Sequence, residues 1–322
     1  MYLYRYNDII IVVKDIHGRK DEETMVQCFV ENKKSKSYYE EKKPELLYVS
    51  RVGMKDCEHP RIMHAHKDFV ELILIREGNG SFNINGINYH VEKGDLIILN
   101  SGMIHDEYGD EVSHYACAVA GIEKEGLRED ALIKDSQVPV IKTNKFYGAM
   151  EGIMAQMFYM LCGNVPGAEV CCGYLLEALL KQVEMTVDES KAYVEEEQND
   201  RYILAKQIRQ YIDENYMNDI SLKTISEQLH ISLYYLSHIF KEFYGYSPMK
   251  YVIRRRIGEA QSLLIGTDLT VTRIAMIVGC DNPNHFNWYF PRLIDGTNEI
   301  ATDSVNDLDI EITYREARMV AL

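Results

Sequence analysis

Leu222-Lys223-Thr224-Ile225-Ser226-Glu227-Gln228-Leu229-His230-Ile231-Ser232-Leu233-Tyr234-Tyr235-Leu236-Ser237-His238-Ile239-Phe240 decides how the chain is read, because its pattern returns once, about 50 residues later. The second copy runs Val271, Ile274, Ala275, Val278, then Gly279-Cys280, then Phe286, Tyr289 and Phe290. In each copy apolar positions at helical spacing surround a small residue (Ser226, Ala275). A short turn follows, then a second apolar-faced helix anchored by Leu236 and Phe240 or by Phe286 and Phe290. Two such helix-turn-helix units in one chain are expected to set two recognition helices in successive major-groove segments, roughly 34 Å apart on B-form DNA.

Composition narrows the remaining possibilities. The 322 residues suffice for two domains with separate cores. No stretch approaches the roughly 20 apolar residues of a membrane span, and Met1-Tyr2-Leu3-Tyr4-Arg5 lacks the layout of a signal peptide. Seven scattered cysteines, without a Cys-x-x-Cys pair, read as free thiols of a cytoplasmic protein. The net charge of −15 argues against nucleic acid until its distribution is considered. Residues 203–293 hold ten Lys and Arg against eight Asp and Glu, so this segment is +2 and the remainder −17. The densest basic run, Arg254-Arg255-Arg256, lies between the two units. Such a run is ordinarily a solvated helix face; its position here suggests phosphate contacts instead.

Upstream the pattern changes twice. Apolar runs at Ile9 to Val13 and Val26 to Val30 suggest strands. From Leu46 to about Ile122 short β-rich runs recur, among them Val70 to Ile75, Ser81 to Ile84, Leu96 to Leu99 and Tyr115 to Val119. Glycine-punctuated strands at this spacing predict a barrel or sandwich. Phe146, Met150, Ile153, Met154, Met157 and Leu161 then follow helical spacing, as do Val170, Leu175, Leu176, Leu179, Leu180 and Val183 after a Gly163-to-Pro166 break. These two helices are expected to bury one side on the barrel and offer another to a second subunit. Beyond the acidic stretch 187–200, Ser221, Ser232, Ser247 and Thr270 occupy N-cap positions, and Ser247-Pro248 and Asn282-Pro283 pair a cap with a proline at the first helical position. A helix from Met249 to Leu264, with Ile253, Ile257, Ala260 and Leu264 on one face, joins the two units.

Ile231-Ser232, Tyr235 through Lys241, Gly245-Tyr246-Ser247-Pro248, Tyr251, Arg256-Ile257 and Ala260 to Leu264 together resemble the C-terminal domain of AraC-family transcription regulators. Ile274-Ala275, Val278 through Asp281, His285-Phe286 and Phe290 continue the likeness over about 90 residues. The resemblance implies a domain with two helix-turn-helix units that bends DNA, preceded by a ligand-binding cupin barrel with dimerisation helices. By position it implies base contacts from Tyr234, Ser237 and His238 on the first recognition helix and from Asn284, Asn287 and Trp288 on the second. Lys241, Arg254, Arg255 and Arg256 would meet phosphates. Trp288, the single tryptophan, has core packing as its other reading. The end of the chain departs from the family: Pro291 follows Phe290, and the acidic stretch 298–313 separates Gly296-Thr297 from Tyr314-Arg315. A proline there costs about 3 kcal/mol inside a helix. An insertion, a reading error and a diverged second unit each account for it.

His64-Ala65-His66, Glu71 and Gly78 resemble the first cupin motif, and Gly94 through His105 the second, with Asn100 in place of the usual proline. The resemblance makes His64, His66, Glu71 and His105 the lining of an effector pocket and the ligand set of a divalent metal where one is held. A metal-free organic pocket is the other reading, and a carbohydrate is the effector expected for it. No nucleophile–base pair or phosphate-cradling glycine loop appears elsewhere.

The expected architecture is therefore α+β in two domains: a cupin-like barrel with trailing helices over 1–187, a linker over 188–200 and a double helix-turn-helix domain over 201–322. The expected function is a non-enzymatic, ligand-responsive, sequence-specific regulator that needs no cofactor. Its partners are double-stranded DNA, a small effector, a second copy of itself and RNA polymerase, with no membrane. A metal-dependent cupin enzyme with an accessory helical domain, and a regulator acting through protein contacts, are the alternatives.

Overall fold

The computed structural model describes residues 2–6, 9–13, 26–29, 43–54, 62–107, 112–190, 200–267 and 269–280, together with helical positions 286 and 290. The first half is a ten-stranded antiparallel arrangement: β1 (Tyr2–Tyr6), β2 (Ile9–Val13), β3 (Val26–Phe29), β4 (Glu45–Val52), β5 (Val70–Ile84), β6 (Ile87–Glu92), β7 (Asp95–Leu99), β8 (His105–Glu107), β9 (Val112–Ala120) and β10 (Val140–Lys142). The order is β1-β2-β3-β4-β9-β5-β7-β10, with β6 and β8 also paired to β5. The 15-residue β5 merges the two runs expected at Val70–Ile75 and Ser81–Ile84. Its first half pairs with β9 and β7, its second with β6 and β8. Between them a bulge at Ile75/Glu77 and the left-handed Gly78 turn the strand, because an extra unpaired residue increases local twist. The sheet thereby rolls over on itself.

Val70 to Ile75 are buried without alternation, the mark of a strand covered on both faces. The second cover comes from α1 (Tyr147–Cys162) and α2 (Ala168–Ser190). Met150, Met154, Met157, Phe158 and Leu161 of α1, and Leu176, Leu179, Leu180 and Val183 of α2, complete this core. Val170 is exposed rather than buried, since Cys172 and Leu176 set the inward face of α2. Cys162 is disulfide-bonded, which corrects the expectation of free thiols throughout: the end of α1 meets a second sulfur that chain spacing does not reveal. Cys117, Cys171 and Cys172 are free.

The helical domain comprises α3 (Asp200–Asn215), α4 (Leu222–Gln228), α5 (Leu233–Tyr244), α6 (Pro248–Gly266) and α7 (Val271–Ile277). Ser221, Ser232, Ser247 and Thr270 each accept the expected N-cap hydrogen bond. His230 takes the left-handed conformation in the first helix-turn-helix turn and Gly279 in the second. Its core gathers Ile208, Ile225, Leu236, Phe240, Val252, Ile274, Phe286 and Phe290, and is joined by Ile62, Met63 and Ile104 of the sheet-rich domain. The face expected on α6 is therefore only half of what it buries. Arg254, Arg255 and Gln261 are buried too, because α6 also lies against the sheet-rich domain.

Candidate functional site

Among the described residues, two places assemble chemistry-bearing side chains, one inside the rolled sheet and one on α5.

Inside, Glu71 on β5, His105 on β8 and the His64–His66 segment converge. His64 and His105 form an isolated antiparallel bridge, each amide donating to the other's carbonyl at 3.0 and 2.9 Å. Pairing the backbones brings the rings together, tilted for His64–His105 with centroids 4.0 Å apart and edge-on for His64–His66 at 4.9 Å. One ligand nitrogen from each of the three imidazoles lies within 4.8 Å of the others. Glu71 Oε2 stands 3.3 Å from His66 Nε2 and 3.5 Å from His105 Nε2. Burial by itself would raise the Glu71 carboxyl's pKa; hydrogen bonds from His105 and His66 instead hold it well below the usual range. Tyr48 donates to the second Glu71 oxygen, and Phe69 stacks on His66 at 4.3 Å. His105 Nδ1 is 3.1 Å from the Met103 carbonyl. A carbonyl only accepts, so this nitrogen donates, which fixes the ring and leaves Nε2 facing Glu71. Three imidazoles and one ionised carboxylate, one imidazole oriented from behind, fit a divalent transition metal.

Sequence reasoning missed two members of this neighbourhood. His114, on β9, is fully buried, and desolvation pushes its pKa down to about 4, opposed by Glu71. Tyr48 comes from β4, 16 positions before His64. Neither β4 nor β9 alternates cleanly between buried and exposed positions, so no local pattern marks them. The unexpected Asn100 acts as a loop clamp: its Oδ1 accepts from the Leu132 amide at 2.9 Å, and its Nδ2 donates to the Ile133 carbonyl at 2.7 Å.

On α5, Leu236, Ile239, Phe240 and Tyr244 turn inward. The opposite face carries Tyr234, 80 % exposed, with exposed His238 and Lys241 and half-buried Ser237. Positions 234, 238 and 241 lie three and four residues apart and so share one stripe, with the Tyr234 and His238 rings 6.1 Å apart. Glu242 accepts from Arg201 at 2.5 Å and lies 3.6 Å from His238 Nδ1. Asn284, Asn287 and Trp288, expected to read bases from the second unit, lie outside the described residues, as do Pro291 and 298–313.

The arginine run is corrected. Arg254 is 7 % exposed and Arg255 5 %, and neither faces outward to a phosphate. Arg254 Nη2 bonds Asp106 at 3.1 Å. Arg255 bonds Asp213 at 3.2 Å and the Met63 carbonyl at 3.0 Å. Arg256, half-buried, donates to the Tyr216 and Asn218 carbonyls at 2.6 and 2.8 Å, closing the end of α3. Packing of α6 draws in two guanidinium groups because buried Asp106 of β8 and half-buried Asp213 of α3 meet them there.

A rolled-sheet domain enclosing a polar cluster, followed by helices that expose a polar recognition stripe, defines a ligand-binding, helix-turn-helix regulator. Comparison with known proteins agrees. The AraC-like ligand binding domain family matches residues 54–164, and a helix-turn-helix domain family matches 225–297. The uncharacterized HTH-type transcriptional regulator YdiP of Escherichia coli (strain K12) is 28% identical over 241 residues, 71% of this chain and 77% of that protein. The HTH-type transcriptional activator RhaS of Klebsiella pneumoniae (strain 342) is 24% identical over 243 residues, 71% and 84% of the two chains. Among solved structures, the C-terminal domain of the two-component response regulator yesN from Fusobacterium nucleatum is 32% identical. It covers 28% of this chain and 89% of its own, with a TM-score of 0.28. The chain belongs to the AraC-type transcriptional regulators. No helix among the described residues is long and apolar enough to cross a membrane.

Proposed function

We propose that this regulator's effector site is the cluster of His64, His66, His105 and Glu71, and that its occupant is a divalent transition-metal ion. The convergence of three imidazoles beside an ionised, buried carboxylate carries this reading. When bound, the ion supplies a positive charge that balances Glu71 and ties β5, β8 and the 62–66 segment together. A carbohydrate is the weaker reading, since the Tyr48 hydroxyl at the cluster is already engaged by Glu71.

On the DNA side, Tyr234, Ser237 and His238 read base edges and Lys241 meets a phosphate, as the exposed stripe of α5 supports. Asn284, Asn287 and Trp288 do the same from the second unit, and Arg256 keeps a phosphate role. Exposed Tyr159, Val170 and Tyr174 on α1 and α2 support a homodimer. The regulator works in the cytoplasm, beside RNA polymerase, and its role is regulatory rather than catalytic.

Equilibrium dialysis of the full chain against zinc and nickel tests the effector site. One ion per chain is expected for the wild type, with at least a tenfold weaker affinity for His105→Ala. Equal uptake by wild type and variant, or stabilisation by sugars with no response to metal, removes the metal reading.

A further inference from the structure

A cleft of about 280 Å³ opens between the sheet-rich domain and α3, at the small end of the range for ligand sites. One wall is built by α3. Ala205, Ile208 and Ile212 set the buried face of that helix. Tyr202, Lys206 and Arg209, spaced four and three residues apart, form the adjoining stripe that lines the cleft. Tyr244, the last residue of α5, joins them.

The opposite wall belongs to the sheet-rich domain. Tyr89 comes from β6, and Arg128 and Asp135 from the loop between β9 and β10. That loop is tied down: Asn100 bonds Leu132 and Ile133, and Arg128 donates to the Ser101 carbonyl. The two walls meet where Arg209 donates to the Asn85 carbonyl, and where a Cβ on Gly86 would fall 2.3 Å from the Tyr244 ring.

Charge and hydrogen-bonding capacity both point to an oxyanion. Among the described residues that line the cleft, three cations (Arg128, Lys206 and Arg209) meet one carboxylate, Asp135, which lies 3.9 Å from Arg128. Behind Arg209, Asp213 lies 3.7 Å from its Nε, which makes no hydrogen bond. That carboxylate is shared, since it also accepts from Arg255 at 3.2 Å and from the Tyr251 hydroxyl at 3.0 Å. The cleft is thus a cationic spot on a chain of net charge −15, a local field that draws an anion. Three cations less one carboxylate leave +2. A phosphate monoester, at about −2, matches that charge better than a single carboxylate does. The hydroxyls of Tyr89, Tyr202 and Tyr244 add donors, and no hydrogen bond ties them to another described residue. Burial raises the Tyr244 hydroxyl's pKa to about 12 and that of Tyr89 as well, so both keep their protons at neutral pH.

We propose that this cleft is a second ligand site, made for the phosphate monoester of a small polyhydroxylated molecule. Lys206 and Arg209 take the phosphate, because a guanidinium fork and an ammonium together suit its oxygens. Asp135 accepts from the hydroxyls of the body, and the tyrosine rings pack against its carbon faces. None of His64, His66, Glu71 and His105 lines the cleft. The site is therefore separate from the histidine cluster and does not depend on what that cluster holds.

Calorimetric titration of the full chain, with a chelator present, tests the site with glucose 6-phosphate and glycerol 3-phosphate, and with glucose and inorganic phosphate as controls. Expected is one phosphate monoester bound per chain. Lys206→Gln, at an exposed position, should weaken it by about tenfold. Tyr202→Phe, which loses only a hydroxyl, should weaken it by about threefold. His105→Ala should bind like the wild type, so failure of the metal reading leaves this result standing. Affinity unchanged in both cleft variants, or lost in His105→Ala, overturns the proposal. So does equal affinity for glucose or for inorganic phosphate, and so does the absence of binding by both monoesters.

Discussion

His114 shows what a single buried titratable group does to this protein. Desolvation holds its pKa at about 4, against 6.5 when exposed. Between those values the unfolded chain binds a proton that the folded one does not, so stability falls as pH drops from 6.5 toward 4. The shift corresponds to about 3 kcal/mol at full effect. Chemical denaturation of His114→Gln, which cannot titrate, is expected to lose that part of the slope between pH 6.5 and 4; an unchanged slope would place the effect elsewhere. Asn100 teaches the same lesson from the other side. It stands where cupin sequences usually carry proline, and its amide takes over the loop's restraint by bonding Leu132 and Ile133.

At the scale of elements, α5 divides its residues by face. Leu236 and Phe240 bury, while Tyr234, His238 and Lys241 face out. A base contact discriminates and a phosphate contact does not. His238→Ala is therefore expected to relax preference at one position of a selected site by about 1–3 kcal/mol. Lys241→Ala should weaken all sequences alike and lower the salt slope by about one. Competition assays on selected and scrambled duplexes separate the two, and identical behaviour of the variants would void the assignment. The helix α6 is less simply divided. Its apolar positions were readable at helical spacing, but Arg254-Arg255-Arg256 read as a solvated or phosphate-facing run. Only the packed partners Asp106, Asp213 and the Met63 carbonyl show that two of the three are interior.

Across the whole molecule, the two domains share a core, since Ile62, Met63 and Ile104 pack with the helices. Zinc held by the cluster should then stabilise more than the sheet. At 100 times the dissociation constant the gain is about 2.7 kcal/mol, and calorimetry is expected to show the helical transition moving with it in the wild type but not in Gly258→Ala, whose added Cβ would stand 2.2 Å from the Met63 carbonyl oxygen. Helical melting indifferent to zinc in both would deny the coupling. The sequence by itself determined the two-domain order, the four N-caps, the recognition stripe and the ring of His64, His66, Glu71 and His105, because each follows from local periodicity or a spaced motif. Tertiary structure alone decided that β5 is one turning strand, that Tyr48 joins the cluster, that His114 is buried beside β5, and that Arg254 and Arg255 face the sheet-rich domain. Those outcomes depend on which distant surfaces meet. No local rule of spacing encodes that a buried carboxylate will stand opposite a guanidinium 148 residues away.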